Sequence, residues 1–260
     1  MLERWSSVFK RGCAISAESS IVPRCVLSMS VFCNELSRAG FQVMMDVNAS
    51  NMSYLKVNAV DRYVLSCSVE RMALVKDVYS RIFSSDVCEG DMWKFVQSLY
   101  YFICHLECVG LDDGEFKDVF TAGELETLHN LDNAKVHHNC GARANIVLAR
   151  PQIKEMVESA NLDLRSGKPS VRLRFGHDNT IMTILCLIGV GGWGDESWDC
   201  SEIPMAANIQ LIFAKNRKGH VIAKMQLNES DLIPWTSWNI LSEKFVLIGG
   251  KDIKTLSVKI

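Results

Sequence analysis

Apolar positions along this chain change their period several times, and each change marks an element. Residues 13–18, "CAISAE", alternate as a short strand does. From Pro23 to Gly40, Val26, Met29, Ser30 and Cys33 recur on or near one helical face, which Leu36 and Leu27 extend. Proline suits the first turn of such a helix and glycine its end. "FQVMMDV" (41–47) predicts a second strand. Between about Ser66 and Asn139 the period is helical throughout, over 68–83, 91–111 and 121–134. The second of these is expected to bury Trp93, Val96, Leu99, Tyr100, Ile103 and Leu106, with Phe95 and Phe102 widening the face. The third opens with Thr121 and Glu124 at capping-box spacing.

Residues 151–169 restore an amphipathic helix with Pro151 near its start, and a strand follows in which Val171, Leu173 and Phe175 alternate with Arg172 and Arg174. After it, "TIMTILCLIGV" (180–190) reads as a buried helix. The turn between them holds Gly176, His177 and Asp178, close to Arg174. A helix start presents unpaired N–H groups and partial positive charge, so this junction has the make-up of an anion site. Residues 208–227 read as two strands joined by a polar turn, while 235–260 fits helix or strand. The order predicts an α/β body formed by residues 1–60 and 141–260, interrupted by a mostly helical subdomain at 61–140.

Composition narrows the function. The 260 residues carry a formal charge of −2 and no long basic run, which argues against nucleic acid as a partner. The longest apolar run, Ile181 to Trp193, is broken by glycines and too short to span a bilayer, so no transmembrane segment is expected. Ten cysteines show no C-x-x-C spacing and are read mainly as packing residues, with Cys33, Cys104 and Cys186 on predicted apolar faces. His137, His138 and Cys140 lack further ligands at useful spacing, so no metal centre is expected. "GVGGWG" (189–194) has the letters of a dinucleotide-binding loop but follows a helix instead of a strand, and is read as a plain loop. His105 is read as a core or boundary histidine.

Taken alone, His177 and Asp178 fit a polar turn in which Asp178 caps the next helix. A second junction of the same kind, "SSIVPRCVLSM", puts Arg24 at another strand-to-helix transition. The two could meet at the carboxyl ends of neighbouring strands, where open α/β sheets bind ligands.

Those segments, with "LRFGHDNTIMTILCLIGV", "IPMAANIQLIF" and "MQLNES", resemble the histidine acid phosphatases, and within them the multiple inositol polyphosphate phosphatases and their bacterial relatives. The resemblance implies an α/β domain with an inserted helical domain, and two-step hydrolysis of phosphomonoesters through a phosphohistidine, without a cofactor. It implies that Arg24 binds the transferred phosphoryl group, that His177 is a second phosphate ligand, and that Asp178 protonates the leaving alcohol. A small phosphorylated substrate such as phytate, an acidic working pH and a secreted, periplasmic or lumenal location are the corresponding expectations. Inositol-polyphosphate members commonly have His-Ala-Glu where this chain has His-Asp-Asn, so the donor role moves to Asp178 as in the His-Asp members. The family's nucleophile lies in an Arg-His-Gly-x-Arg motif on the first strand, and no Arg-His-Gly occurs in this sequence. The match begins at about Glu3, past the place of that motif. The chain is therefore expected to be the larger part of a phosphomonoester hydrolase that lacks its first strand. The competing expectations are an inactive remnant that binds phosphorylated ligands, and an interaction module built on the helical segment.

Overall fold

Three short strands, β1 (Ala14–Ser20), β2 (Val43–Asn48) and β3 (Ser170–Phe175), pair in parallel in the order β2-β1-β3. The computed structural model describes residues 13–48, 55, 69–83, 89–106, 110, 114, 118–195 and 198–250. The chain divides into two compact units, Met1–Asp61 with Asn139–Ile260, and Arg62–His138.

In the first unit, helix α1 (Pro23–Arg38) carries the chain from β1 to β2 and lies on one face of the parallel sheet. Pro23 fixes its first turn, and Cys25, Met29, Cys33 and Leu36 form its buried stripe at spacings of four, four and three. Ala17 is small enough for Met29 and Cys33 to settle against β1, with Val43, Leu173 and Phe175 flanking them. Phe32 meets the Phe175 ring edge-on at 5.9 Å between centroids. Leu27 stays 65 % exposed, because its position falls outside that stripe.

The opposite face of the sheet is polar and is held by ion pairs to helix α6 (Arg150–Ser166). Arg172 forks onto the Asp163 carboxylate at 2.7 and 2.8 Å, and this holds the Asp163 carboxyl below its ordinary pKa. Arg174 pairs with Glu155 and donates to Ser159 Oγ at 3.1 Å. The alternation read in 171–175 thus separates an apolar face under α1 from a cationic face under α6.

A second sheet is antiparallel in the order β4-β5-β6, formed by Ile209–Lys215, Val221–Leu227 and Ser230–Ser237. The β4–β5 turn is fixed by Asn216, whose Oδ1 accepts from Lys218 N and His220 N at 2.9 and 3.0 Å. The third strand was not legible in the sequence, since it contains Pro234. Proline is tolerated there because β6 is an edge of the sheet. Residues 238–250 resolve the ambiguous tail into a helix, α8 (Trp238–Gly250), which buries Trp238, Leu241, Phe245 and Ile248. Trp238 Nε1 donates to Asn161 Oδ1 on α6 at 2.8 Å. The predicted helix after β3 is α7 (Asp178–Ile188); it ends at Gly189 in the left-handed conformation, and the glycines that follow form the expected loop. The rest of the tail, 251–260, lies outside the described residues.

Among the described residues of Arg62–His138 every element is a helix: α2 (Val69–Ile82), α3 (Glu89–Leu106) and α4 (Ala122–Val136). Val75, Val78, Val96, Tyr100, Phe120 and Leu128 form their common core. Phe102 and Cys104 are exposed, contrary to the packing roles read for them, and so is His105. They face away from the stripe set by Met92, Val96, Tyr100 and Leu106. The continuation of the middle helix to 111 falls mostly on residues outside the description, as do Cys67, Cys88 and Cys108. After α4 the chain runs through a π turn (His137–Gly141), a short helix α5 (Arg143–Ile146) and a 3-10 turn (Val147–Ala149) into α6.

The Thr121–Glu124 capping box forms as predicted: Glu124 N donates to Thr121 Oγ1 at 3.3 Å and Thr121 N to the Glu124 carboxylate at 2.7 Å. The same carboxylate pairs with Arg81, which also pairs with Asp77, so α4 is stapled to the end of α2. Arg81 brings the Glu124 pKa down from 4.5 to about 2. A carboxyl whose pKa is lowered by folding stabilises the folded state above its unfolded pKa, and that contribution is lost as the pH falls through the folded value. The helical unit should therefore weaken between about 4.5 and about 2, and Glu124→Gln should remove that slope. Acid unfolding followed by circular dichroism measures it; an unchanged slope in the variant would exclude Glu124 as the sensor.

Candidate anion site

β1 and β3 are neighbours, with Ser19 opposite Phe175, so their carboxyl ends open side by side. From β1 the chain turns through Ile21 and Val22 into α1, which places Arg24 and Cys25 in its first turn. From β3 it turns through Gly176, and His177 becomes the N-cap of α7. Because α1 leads away to β2 on the far side of β1, the loops after β1 and β3 part at the usual ligand position of an open α/β sheet.

Arg24 and His177, 153 residues apart, meet there: Arg24 Nη2 lies 2.9 Å from His177 Nδ1. A guanidinium only donates, so Nδ1 accepts and the ring proton sits on Nε2. Nε2 faces Ser20 Oγ at 3.4 Å and Cys25 Sγ at 3.8 Å. His177 is only 7 % exposed and Ser20 is fully buried. The His177 carbonyl accepts from Thr180 N and Ile181 N at 3.1 and 3.4 Å, which fixes the ring's backbone. The Cys25 thiol donates to the Gly176 carbonyl at 3.0 Å and so ties the α1 start to the β3–α7 turn.

That turn has no room for a side chain. A Cβ on Gly176 would sit 2.5 Å from the Leu55 carbonyl oxygen, which also accepts from Thr180 Oγ1 at 3.4 Å. Leu55 itself is 2 % exposed.

Asp178 is exposed at the first position of α7, and its carboxylate accepts from Asn179 N at 2.8 Å. The N-cap is thus His177, and Asp178 is one residue inside it, a correction to the capping role read for Asp178. Its charge is felt by Cys140, whose pKa is pushed up to about 11, chiefly by burial. Burial raises Cys186 to about 12. Both thiols remain protonated near neutrality and serve packing. Arg174 is not part of this site. Its position in the strand turns it to the α6 face, so the cation beside His177 comes from α1.

One guanidinium, the starts of two helices and an imidazole at the mouth of a parallel sheet are groups whose chemistry suits a small oxyanion. Ser20, Cys25 and Leu55 were not singled out from the sequence. The first two stand beside the Arg24 motif, whereas nothing local marks Leu55.

Solved structures share this architecture. The chain superposes on the phytase from D. castellii with a TM-score of 0.69 at 14 % identity, covering 96 % of this chain and 61 % of that one. For the Bifidobacterium longum multiple inositol polyphosphate phosphatase, solved with inositol hexasulfate, the TM-score is 0.65 at 16 % identity, with 91 % and 71 % covered. For the phytase from Citrobacter braakii the values are 0.61, 11 %, 94 % and 83 %. The fold is that of the histidine acid phosphatases. At these identities the likeness is one of fold. No family model and no curated protein matches the sequence.

Gly176→Ala should cost anion binding, because its Cβ must displace either Leu55 or the turn that carries His177. Calorimetric titration with inorganic phosphate tests this; wild-type affinity in the variant would show that the close approach does not shape the site.

Proposed function

We propose that this chain is the phosphate-binding and proton-donating part of a phosphomonoester hydrolase of the histidine acid phosphatase type. The observation that carries the reading is the Arg24–His177 contact at the carboxyl ends of adjacent parallel strands, with Asp178 exposed on the next residue. Arg24 forks two N–H bonds onto the phosphoryl oxygens. His177 supplies a second contact. Asp178, in its protonated form, gives its proton to the ester oxygen as the phosphorus–oxygen bond breaks, so that a neutral alcohol leaves. The fold shared with phytases and with an enzyme solved bound to inositol hexasulfate supports inositol polyphosphates such as phytate as the substrate class.

The reaction also needs an acceptor for the phosphoryl group, and the sequence holds no Arg-His-Gly to provide it. Without a nucleophile the covalent route is closed. This favours a second reading for the chain by itself, in which it binds phosphorylated ligands without turning them over.

Inorganic phosphate should bind, and Arg24→Ala should weaken it by ~10-fold or more, the value of a charge-assisted hydrogen bond. Asp178→Asn should leave phosphate affinity within a few-fold. Phosphate release from phytate should be absent from the chain alone. Binding that survives Arg24→Ala would remove the basis for this site. Phosphate release by the chain that Asp178→Asn depresses would instead show turnover with a nucleophile other than the family's.

A further inference from the structure

We propose, building on the anion site described above, that binding of a tetrahedral oxyanion there is coupled to uptake of one proton by His177, which exchanges its hydrogen bond with Arg24 for one with the anion. The Arg24 guanidinium donates to Nδ1 at 2.9 Å, so Nδ1 carries a lone pair. The ring proton on Nε2 points to Ser20 Oγ and Cys25 Sγ. This arrangement suits a neutral imidazole and holds the cation against it.

An oxyanion that takes over the Arg24 N–H bonds faces the Nδ1 lone pair. Two electron-rich atoms then confront each other in a nearly buried setting, where an unmade contact is costly. Protonation of Nδ1 turns that repulsion into a second charge-assisted donor, and the anion separates the imidazolium from the guanidinium. The neutral alternatives are a rotated ring or the other tautomer, in which the Ser20 hydroxyl turns to donate to the ring while the Cys25 thiol proton stays committed to the Gly176 carbonyl. Either would bind the anion with no proton taken up.

Among the described contacts, three elements bring polar or charged groups to the ring. α1 contributes Arg24 and Cys25, β1 contributes the Ser20 hydroxyl, and α7 contributes Asp178 at the exposed position beyond the cap. The neighbouring cation opposes protonation of the ring; a bound dianion reverses that balance. The site thus takes dianions with a proton, and so binds them more tightly in acid.

Sulfate is the probe, because it does not itself titrate near neutrality. Its binding to the intact chain is measured by titration calorimetry at about pH 7.5, where an ordinary imidazole is mostly neutral, in buffers of different ionisation enthalpy. The expected result is one proton taken up per sulfate, with affinity rising ~10-fold for each pH unit lowered while uptake stays near one. His177→Gln, which can donate without titrating, should bind sulfate with no proton uptake. Sulfate binding to the wild type without uptake, or equal uptake in His177→Gln, would overturn the coupling and leave the anion site standing. No sulfate binding at all would overturn both. If His177→Gln does not fold, the wild-type uptake and its pH dependence still decide the question.

Discussion

The hydrogen bond between Arg24 and His177 depends on the adjacency of β1 and β3. Neither residue has a reason to meet the other locally; 153 positions and a whole helical unit separate them in sequence. The parallel register that sets Ser19 against Phe175 brings the two strand ends level, and the two helix starts then meet. A slip of one residue in either strand would turn Phe175 to the polar face and carry His177 away from Arg24. The contacts that hold the register are therefore part of the site's chemistry.

Those contacts divide between the two faces of the sheet. Under α1, Ala17 and Leu173 pack with Met29 and Cys33; under α6, Arg172 and Arg174 are held by Asp163, Glu155 and Ser159. The apolar side supplies affinity for the helix, and the ionic side makes any other register leave charges unpaired. The Cys25 thiol then joins the two turns above the sheet through the Gly176 carbonyl, and Gly176 lets the second turn approach Leu55 closely.

Much of this was legible in the sequence wherever a local rule was enough. Alternation found β1, β2 and β3, proline and glycine marked the bounds of α1, and the Thr121–Glu124 spacing found the start of α4. The junctions holding Arg24, His177 and Asp178 could be read because each joins a strand pattern to a helix pattern. What escaped depends on tertiary placement. Arg174 lies three residues from His177 but on the other face of the sheet, and only knowledge of what covers each face assigns it to α6. Leu55 contributes a backbone carbonyl, which no side-chain pattern records. The tail has apolar residues all round, including exposed Ile240, Val246 and Leu247, so its period could not separate β6 from α8.

A crystal structure grown with inorganic phosphate would show whether Arg24 and His177 together hold an oxyanion. The expected result is a phosphate held by the Arg24 guanidinium and the His177 ring, with the direct Arg24–His177 hydrogen bond broken. A phosphate bound elsewhere, with that hydrogen bond intact, would contradict it.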